Sequence, residues 1–491
     1  MSKPLNAYLP VKKTTLLAIL LLGRLLTEGQ QKVFELPMDS ADAQGLHVVG
    51  TPDGRSGNIL LSITSPHSIR YCWLSGDSAA GAPVILTTLD YNSKKSRYLV
   101  TAAFPDGIET CISNKDYSLL RFLHSELVAR QTRQTDSLAI PSDQQLFQAF
   151  YQDNTFYAIT VQKHANTLFI YRRRPGAGTD TFQKEIPIKK WGIIWWHGTR
   201  AFIKNHVDNC YDLAGSVGMT QEDSITPPPM SAVVNKSKCY IRPGMLYLTF
   251  DTHQLVTNVI EVPLDERPSR LLQFNPEDWY HKALPIGFST GNSFIFDNTL
   301  ITTAIVHRQP WLAFYDLHTG KLITSYAPDT KGNTSFPRSP IWQEGDFWRK
   351  DKIHPIKLED FAVNAFDFWT MGVSARKLDS GRIEVSIGTI YNRESFGQLM
   401  LILSAATIVV TEPVLLFEAA PIHTMYFYSC FENDTFGALP YKEMTDKSEL
   451  INTFANSQNI PRKQMSGFQH GNDYWLAWYD AGQQKYLIYK F

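Results

Sequence analysis

The 491-residue sequence is short of several things, and each shortage excludes a class of protein. It carries no excess charge: 47 Lys plus Arg stand against 47 Asp plus Glu, for a formal net charge of +0. A balanced chain lacks the basic footprint that nucleic acid or an anionic bilayer demands, so no nucleic-acid partner is expected. Cysteine is scarce, with five residues (Cys72, Cys111, Cys210, Cys239 and Cys430) spread along the chain. An odd, sparse count is not a disulfide framework. Buried thiols are the expectation, with a Cys210–Cys239 bridge as the alternative in an oxidising compartment. No C-x-x-C occurs, which removes the thioredoxin and zinc-ribbon patterns. Neither His-Glu-x-x-His nor the phosphate-cradling G-x-x-x-x-G-K-[ST] is present. No cofactor is expected.

Methionine is also infrequent, at 10, whereas Phe (28), Tyr (22) and Trp (11) are plentiful. Aromatic side chains suit the pleated surface of a sheet, and the local patterns agree. Phe156–Val161 and Thr167–Tyr171 are two short apolar runs separated by a polar turn. The same form recurs at Met245–Phe250 with Leu255–Val262, and at Asn298–Val306 with Trp311–Tyr315. It appears last at Tyr474–Tyr479 with Lys485–Phe491. Each is a hairpin signature. The second strands begin near Thr167, Val259, Trp311, Arg382 and Lys485, spacings compatible with a period of about 50 residues and long insertions. A period of that size, filled with strands, describes a β-propeller: all-β, about seven blades, with six to eight compatible with the length. Helical patterns are few, at Asn275–Ala283 and Ser448–Ala455, and read as excursions between blades.

The turn after one of these strands carries a family likeness. Tyr315-Asp-Leu-His-Thr-Gly-Lys321 resembles the D-x-x-T-G-K strand turn of quinoprotein-like blades and so resembles the β-propeller superfamily, in the manner of uncharacterised exported bacterial propellers. The resemblance implies a blade. The tryptophan that ends the quinoprotein motif is absent, with Tyr326 the nearest aromatic, so no quinone cofactor is implied.

The amino terminus reads as an export signal. Lys12 and Lys13 precede the apolar run Thr14–Gly23, Arg24 interrupts it, and Thr27-Glu-Gly29 supplies small residues before a cut. The expected organisation is a signal peptide over residues 1–29 and a single propeller domain over 30–491. The expected location is secreted or periplasmic. An uncleaved signal would instead tether the chain to the membrane. Closure of the propeller is expected from the termini: a segment within residues 31–65, with Lys32–Pro37 the candidate, should share a sheet with residues 474–491.

No catalytic residues can be nominated. Gly287-Phe-Ser-Thr-Gly291 matches the G-x-S-x-G elbow, but Asn292-Ser-Phe-Ile-Phe follows as a strand where the elbow needs a helix. His206, Asp208 and Cys210 alternate as a metal-binding strand face would, without a fourth ligand, and no metal site is assigned. Two patches suit a ligand. Trp195, Trp196 and His197 form an aromatic cluster able to stack on a sugar or another flat group. Arg173, central in Arg172–Arg174, stands at a strand end where an anion could sit. The expected function is therefore an exported scaffold binding a protein, peptide or glycan. A propeller hydrolase acting on a glycan or lactone through channel carboxylates is the alternative.

Overall fold

A computed structural model describes residues 31–37, 47–52, 59–74, 84–126, 131–162, 165, 167–186, 218–219, 233–253, 256–274, 289–306, 309–327, 336–344, 353–362, 371–378, 381–391, 423–441, 451, 454–455, 457–458, 460, 465–470 and 473–491. The expected signal over residues 1–29 and the expected helix at Asn275–Ala283 lie outside these residues. Among them, no helix is long and apolar enough to cross a membrane.

The strands follow one another as antiparallel meanders. β1 (Gln31–Pro37) precedes β2 (His47–Pro52), β3 (Ile59–Thr64), β4 (Ser68–Leu74) and β5 (Val84–Asp90). Next come β6 (Ser96–Phe104), β7 (Gly107–Asn114), β8 (Leu119–Glu126) and β9 (Thr132–Ala139), then β10 (Gln144–Gln152), β11 (Thr155–Gln162), β12 (Thr167–Arg173) and β13 (Thr179–Glu185). The two-residue β14 (Gly218–Met219) leads to β15 (Ser237–Arg242), β16 (Met245–His253), β17 (Val256–Pro263) and β18 (Arg270–Phe274). β19 (Ser289–Phe296), β20 (Thr299–Val306), β21 (Gln309–Asp316) and β22 (Leu322–Tyr326) form the next group. β23 (Ile341–Glu344), β24 (Ile353–Ile356), β25 (Met371–Lys377), β26 (Arg382–Tyr391), β27 (His423–Glu432) and β28 (Ala438–Leu439) belong to one sheet. β29 (Met465–His470), β30 (Asp473–Asp480) and β31 (Lys485–Lys490) end the chain.

Seven sheets result among the described residues: β2–β5, β6–β9, β10–β13, β14–β18, β19–β22, the six-stranded sheet built on β25–β27, and β1-β31-β30-β29. Successive four-stranded meanders are propeller blades, and the fold is all-β, of the β-propeller type. The elements divide into two compact units. One takes in residues up to Lys115, Arg121–Asp136 and Thr445–Phe491, and the other Asp116–Leu120 and Ser137–Met444.

Why these residues make blades is visible in the burial pattern. A central strand is covered on both faces, so β7 is buried along nearly its whole length. At the margin, β9 (TRQTDSLA) and β13 (TDTFQKE) are largely exposed and polar. Charged and hydroxyl side chains on an edge discourage pairing with another chain. Tight turns close the hairpins. Asp153 and Asn154, between β10 and β11, both take positive φ (48° and 57°), the geometry of a two-residue hairpin loop. In the D-x-x-T-G-K turn, Asp316 Oδ1 accepts from Thr319 N and Thr319 Oγ1, both at 2.7 Å, and Gly320 supplies the φ of 71° that lets the chain reverse.

In the first unit the amino-terminal strand is the fourth strand of the last sheet. β1 pairs antiparallel with β31 from Gln31↔Lys490 to Pro37↔Lys485, the pairing expected of the two termini. Phe34 and Leu36 enter a core with Leu61, Ile63, Cys72, Trp475, Tyr486 and Ile488. Glu35 bonds both Lys32 and Lys485 at 2.9 Å, and these partners pull its carboxyl down to about 2. The expected helix at Ser448–Ala455 is partly described: Ile451, Phe454 and Ala455 pack with Trp478, Leu487 and Phe491.

Cys72, Cys111, Cys239 and Cys430 are buried free thiols, so Cys239 makes no bridge; Cys210 lies outside the described residues. Burial pushes the Cys72 thiol up to about 12, which keeps it inert.

Candidate functional site

An antiparallel meander sends alternate connections to opposite ends. In the second unit, one end is made of tight turns: 153–154, 174–178, 243–244, 264–269, 297–298, 317–321 and 433–437. The strands flanking 187–217, 275–288 and 392–422 finish or start at the other end, where the leading strands β15, β19 and β25 begin. The unit's buried polar centre lies at those strand beginnings.

Lys238 on β15 has a fully buried side chain, and Asp251 on β16 is 2% exposed. The Lys238 ammonium donates to Asn292 Oδ1 at 2.6 Å and to Asp251 Oδ2 at 3.4 Å. Asp251 Oδ2 also accepts from Ser293 N and Ser293 Oγ, both at 2.9 Å, and Oδ1 accepts from Thr257 Oγ1 at 2.7 Å. Asn292 Nδ2 then donates to the Met371 carbonyl at 2.8 Å, at the start of β25. One ion pair and its amide neighbour thus join three consecutive sheets.

Lys236, one step before β15, donates to the Gly291 carbonyl. Burial pulls its ammonium down to about 8; Asp251 opposes the shift and Lys238 adds to it. Burial likewise lowers the Lys238 pKa, against the pull of Asp251. A second buried pair, Arg376–Glu384, spans β25 and β26 at 2.7 Å.

A desolvated carboxylate with four donors has little acceptor capacity left for a substrate. The arrangement does structural work: it fixes where three leading strands begin, and so holds the end from which the long connections depart.

The residues singled out from sequence fare differently. Trp195, Trp196 and His197 lie outside the described residues, as do His206, Asp208 and Cys210. Arg173 is 3% exposed and engaged, next to the tight-turn end. Arg172 is held by Asp180 at 2.7 Å above the Phe182 ring, and Arg174 is exposed. The three arginines therefore do not share one solvent-facing cluster. Ser289, the serine of G-x-S-x-G, is the first residue of β19 and pairs with Val306. A hairpin strand offers none of the strand-to-helix geometry of a nucleophile elbow. Among the described residues, no group of three His, Cys, Asp or Glu could hold a metal ion.

Sequence reasoning missed the Lys238–Asp251 centre because Asp251-Thr-His-Gln254 reads as a polar turn. The structure continues β16 to His253 through a register shift after Phe250, which carries Asp251 into the sheet. The available signal was Lys236-Ser-Lys238, two cations directly ahead of the run Cys239-Tyr-Ile241.

Neither a family model nor a curated protein matches the sequence. Solved structures do. Hsv2 of Kluyveromyces lactis is 8% identical, with 90% of this chain and 97% of that chain covered at a TM-score of 0.32. The Nup133 β-propeller domain of Vanderwaltozyma polyspora is 10% identical, with 95% and 98% covered at 0.37. A prolyl endopeptidase structure is 11% identical, with 78% and 54% covered at 0.26. The assignment as a β-propeller rests on the sheets themselves.

Proposed function

We propose that the protein is an exported binding scaffold that engages a protein, peptide or glycan through the end of the second unit where the leading strands begin. The observation that carries this reading is the Lys238–Asp251–Asn292 centre, whose polar groups are spent on joining sheets. A rigid base under long connections is the usual design of a recognition surface. Trp195, Trp196 and His197, in the connection between β13 and β14, are the proposed stacking contacts. Export is proposed on the Lys12–Gly29 pattern.

A glycan or lactone hydrolase needs a carboxyl with a raised pKa as its acid. At Glu35, Asp116, Asp265 and Asp316 the shift is downward, led by hydrogen bonds that favour the ionised form, so these four are not that acid.

A photo-crosslinking residue placed at Trp196 or Gln398, in the native host, should trap a partner, whereas one at Asn154 or His318 should not. Adducts only from Asn154 and His318 would refute the assignment of the binding end. Turnover of a glycoside or lactone panel by the purified protein would refute the scaffold reading. Intact mass of the native protein should correspond to a chain starting at Gln30, and full-length chain in the cytosol would contradict export.

A further inference from the structure

One face of the six-stranded sheet keeps large apolar side chains in contact with water. Burial alternates along β27: Met425 and Phe427 are buried, whereas Thr424, Tyr426 and Tyr428 are half-buried. Side chains alternate across a strand, and the buried set joins Ile341 in the unit's main core. The other set lies on the opposite face, where the register assembles a row. Pro355 of β24 pairs with Trp342 of β23, Trp342 with Tyr426 of β27, Tyr426 with Gly388 of β26, and Gly388 with Gly372 of β25. Pro355 is exposed and Trp342 half-buried. Tyr428 sets its ring edge-on to Tyr426, 5.5 Å between centres. Ile353, two residues before Pro355 on the same face, is 55% exposed. A contiguous aromatic and aliphatic surface left to water marks a place where something docks.

The row also says what kind of partner it fits. None of its five positions carries a charge, so the segment lying against it is uncharged. Trp and Tyr combine an apolar body with a donor at the tip, which suits a ligand that spaces backbone carbonyls along an apolar surface. A proline-rich segment is such a ligand, because it is already held in a polyproline II helix and loses little entropy on docking to aromatic side chains. The dimensions agree. A polyproline II helix repeats every three residues, roughly 9.3 Å, and Pro355 and Tyr426 stand two strand spacings apart, roughly 9.6 Å. A helix laid across the strands meets the row at the β24 edge and again, one turn later, at Tyr426.

We propose that Ile353, Pro355, Trp342, Tyr426 and Tyr428 form a docking platform for an uncharged, proline-rich peptide segment. Trp342 and Tyr426 take successive turns of the ligand, Tyr428 buttresses Tyr426, and Ile353 extends the apolar edge. β27 starts where the connection 392–422 ends, so the platform stands at the end assigned above to partner binding. As the contact for a peptide partner it rests on that reading and adds the chemistry of the partner.

The test is calorimetric titration of the full chain with a capped proline decamer, with a capped Gly-Ser decamer, cellohexaose and chitohexaose as controls. The proline decamer should bind and the Gly-Ser decamer should not. Trp342→Ala should weaken binding at least tenfold. Ile353→Ser should weaken it severalfold with the melting temperature unchanged, because that side chain is exposed. Tyr117→Ala, at an exposed tyrosine outside the platform, should leave the affinity as it is. Absence of binding at millimolar concentration, equal binding of the Gly-Ser decamer, preference for either hexasaccharide, or affinities unaltered in both Trp342→Ala and Ile353→Ser would overturn the proposal. A proline decamer that fails to bind while Trp196 and Gln398 still trap a partner overturns this proposal and spares the reading above. Decamer binding with adducts only from Asn154 and His318 does the reverse.

Discussion

The two units tie neighbouring sheets together with different chemistry. In the first, the link is neutral: Tyr71 of β4 is hydrogen-bonded to Thr110 of β7 at 2.6 Å, Thr110 to Thr101 at 3.0 Å, and the Tyr98 hydroxyl donates to Thr101 at 3.0 Å. Burial raises the pKa of both tyrosines, so these hydroxyls stay protonated across the accessible pH range. In the second, the link is the charged Lys238–Asp251 pair with Lys236 beside it. Loss of the Tyr71 hydroxyl leaves no group stranded, because Thr110 keeps Thr101. A buried ion pair is brittle, because deleting one charge strands the other in a low dielectric. The same architecture is thus built with one pH-indifferent junction and one that titrates.

The largest effect expected in the first unit comes from deleting Tyr486–Phe491. Tyr486, Leu487, Ile488 and Phe491 are all buried, and at about 1.5–3 kcal/mol each their loss approaches the whole stability of a domain. The truncation should abolish the cooperative thermal transition of that unit, and a melt matching the full chain would contradict the β1–β31 pairing as a stabilising element. Next comes Lys238→Met, which should cost about 3–5 kcal/mol by denaturant unfolding. Adding Asp251→Leu should recover part of that loss, since the stranded carboxylate is then gone. Tyr71→Phe should cost only about 0.5–1.5 kcal/mol, because Thr110 keeps Thr101.

Two pH experiments sharpen the contrast at smaller amplitude. Lys236 has a folded-state pKa near 8, below the ordinary lysine value of 10.5. Between those values the unfolded chain holds the proton and the folded chain does not, so stability rises with pH in that window. Lys236→Met should remove this rise from the stability–pH profile. Glu35 gives a slope of the same sign at the acid end: its carboxyl is held near 2 against 4.5 ordinarily. Its contribution is complete above about 4.5 and is lost as the pH falls toward 2. Glu35→Gln should flatten that acid limb slightly, with an effect that salt erases because the pair is exposed.

How much of this could be read in the sequence depended on which strand carried the signal. The pairs recognised there, Phe156–Val161 with Thr167–Tyr171 and Asn298–Val306 with Trp311–Tyr315, are the second and third strands of their sheets, β11 with β12 and β20 with β21. Those strands are covered on both faces and therefore read as continuous apolar runs. Edge strands such as β9, TRQTDSLA, have no periodicity that distinguishes them from a loop. The polar centre was hidden for another reason. Lys238 and Asp251 lie on adjacent strands of one sheet and Asn292 on the next, and they meet only through the register shift in β16 and the packing of one sheet on another, long-range facts that the Lys236-Ser-Lys238 pattern alone does not reveal.

Hydrogen exchange of the Lys238→Met variant, read peptide by peptide, tests the distinction between the two junctions most directly. The expected result is lost protection in β15, β16, β19 and the start of β25, with β4, β6 and β7 exchanging as in the unaltered chain. Uniform loss across both units, or unchanged protection of β15, β19 and β25, would contradict the assignment of Lys238–Asp251 as the tie that holds the second unit's sheets together.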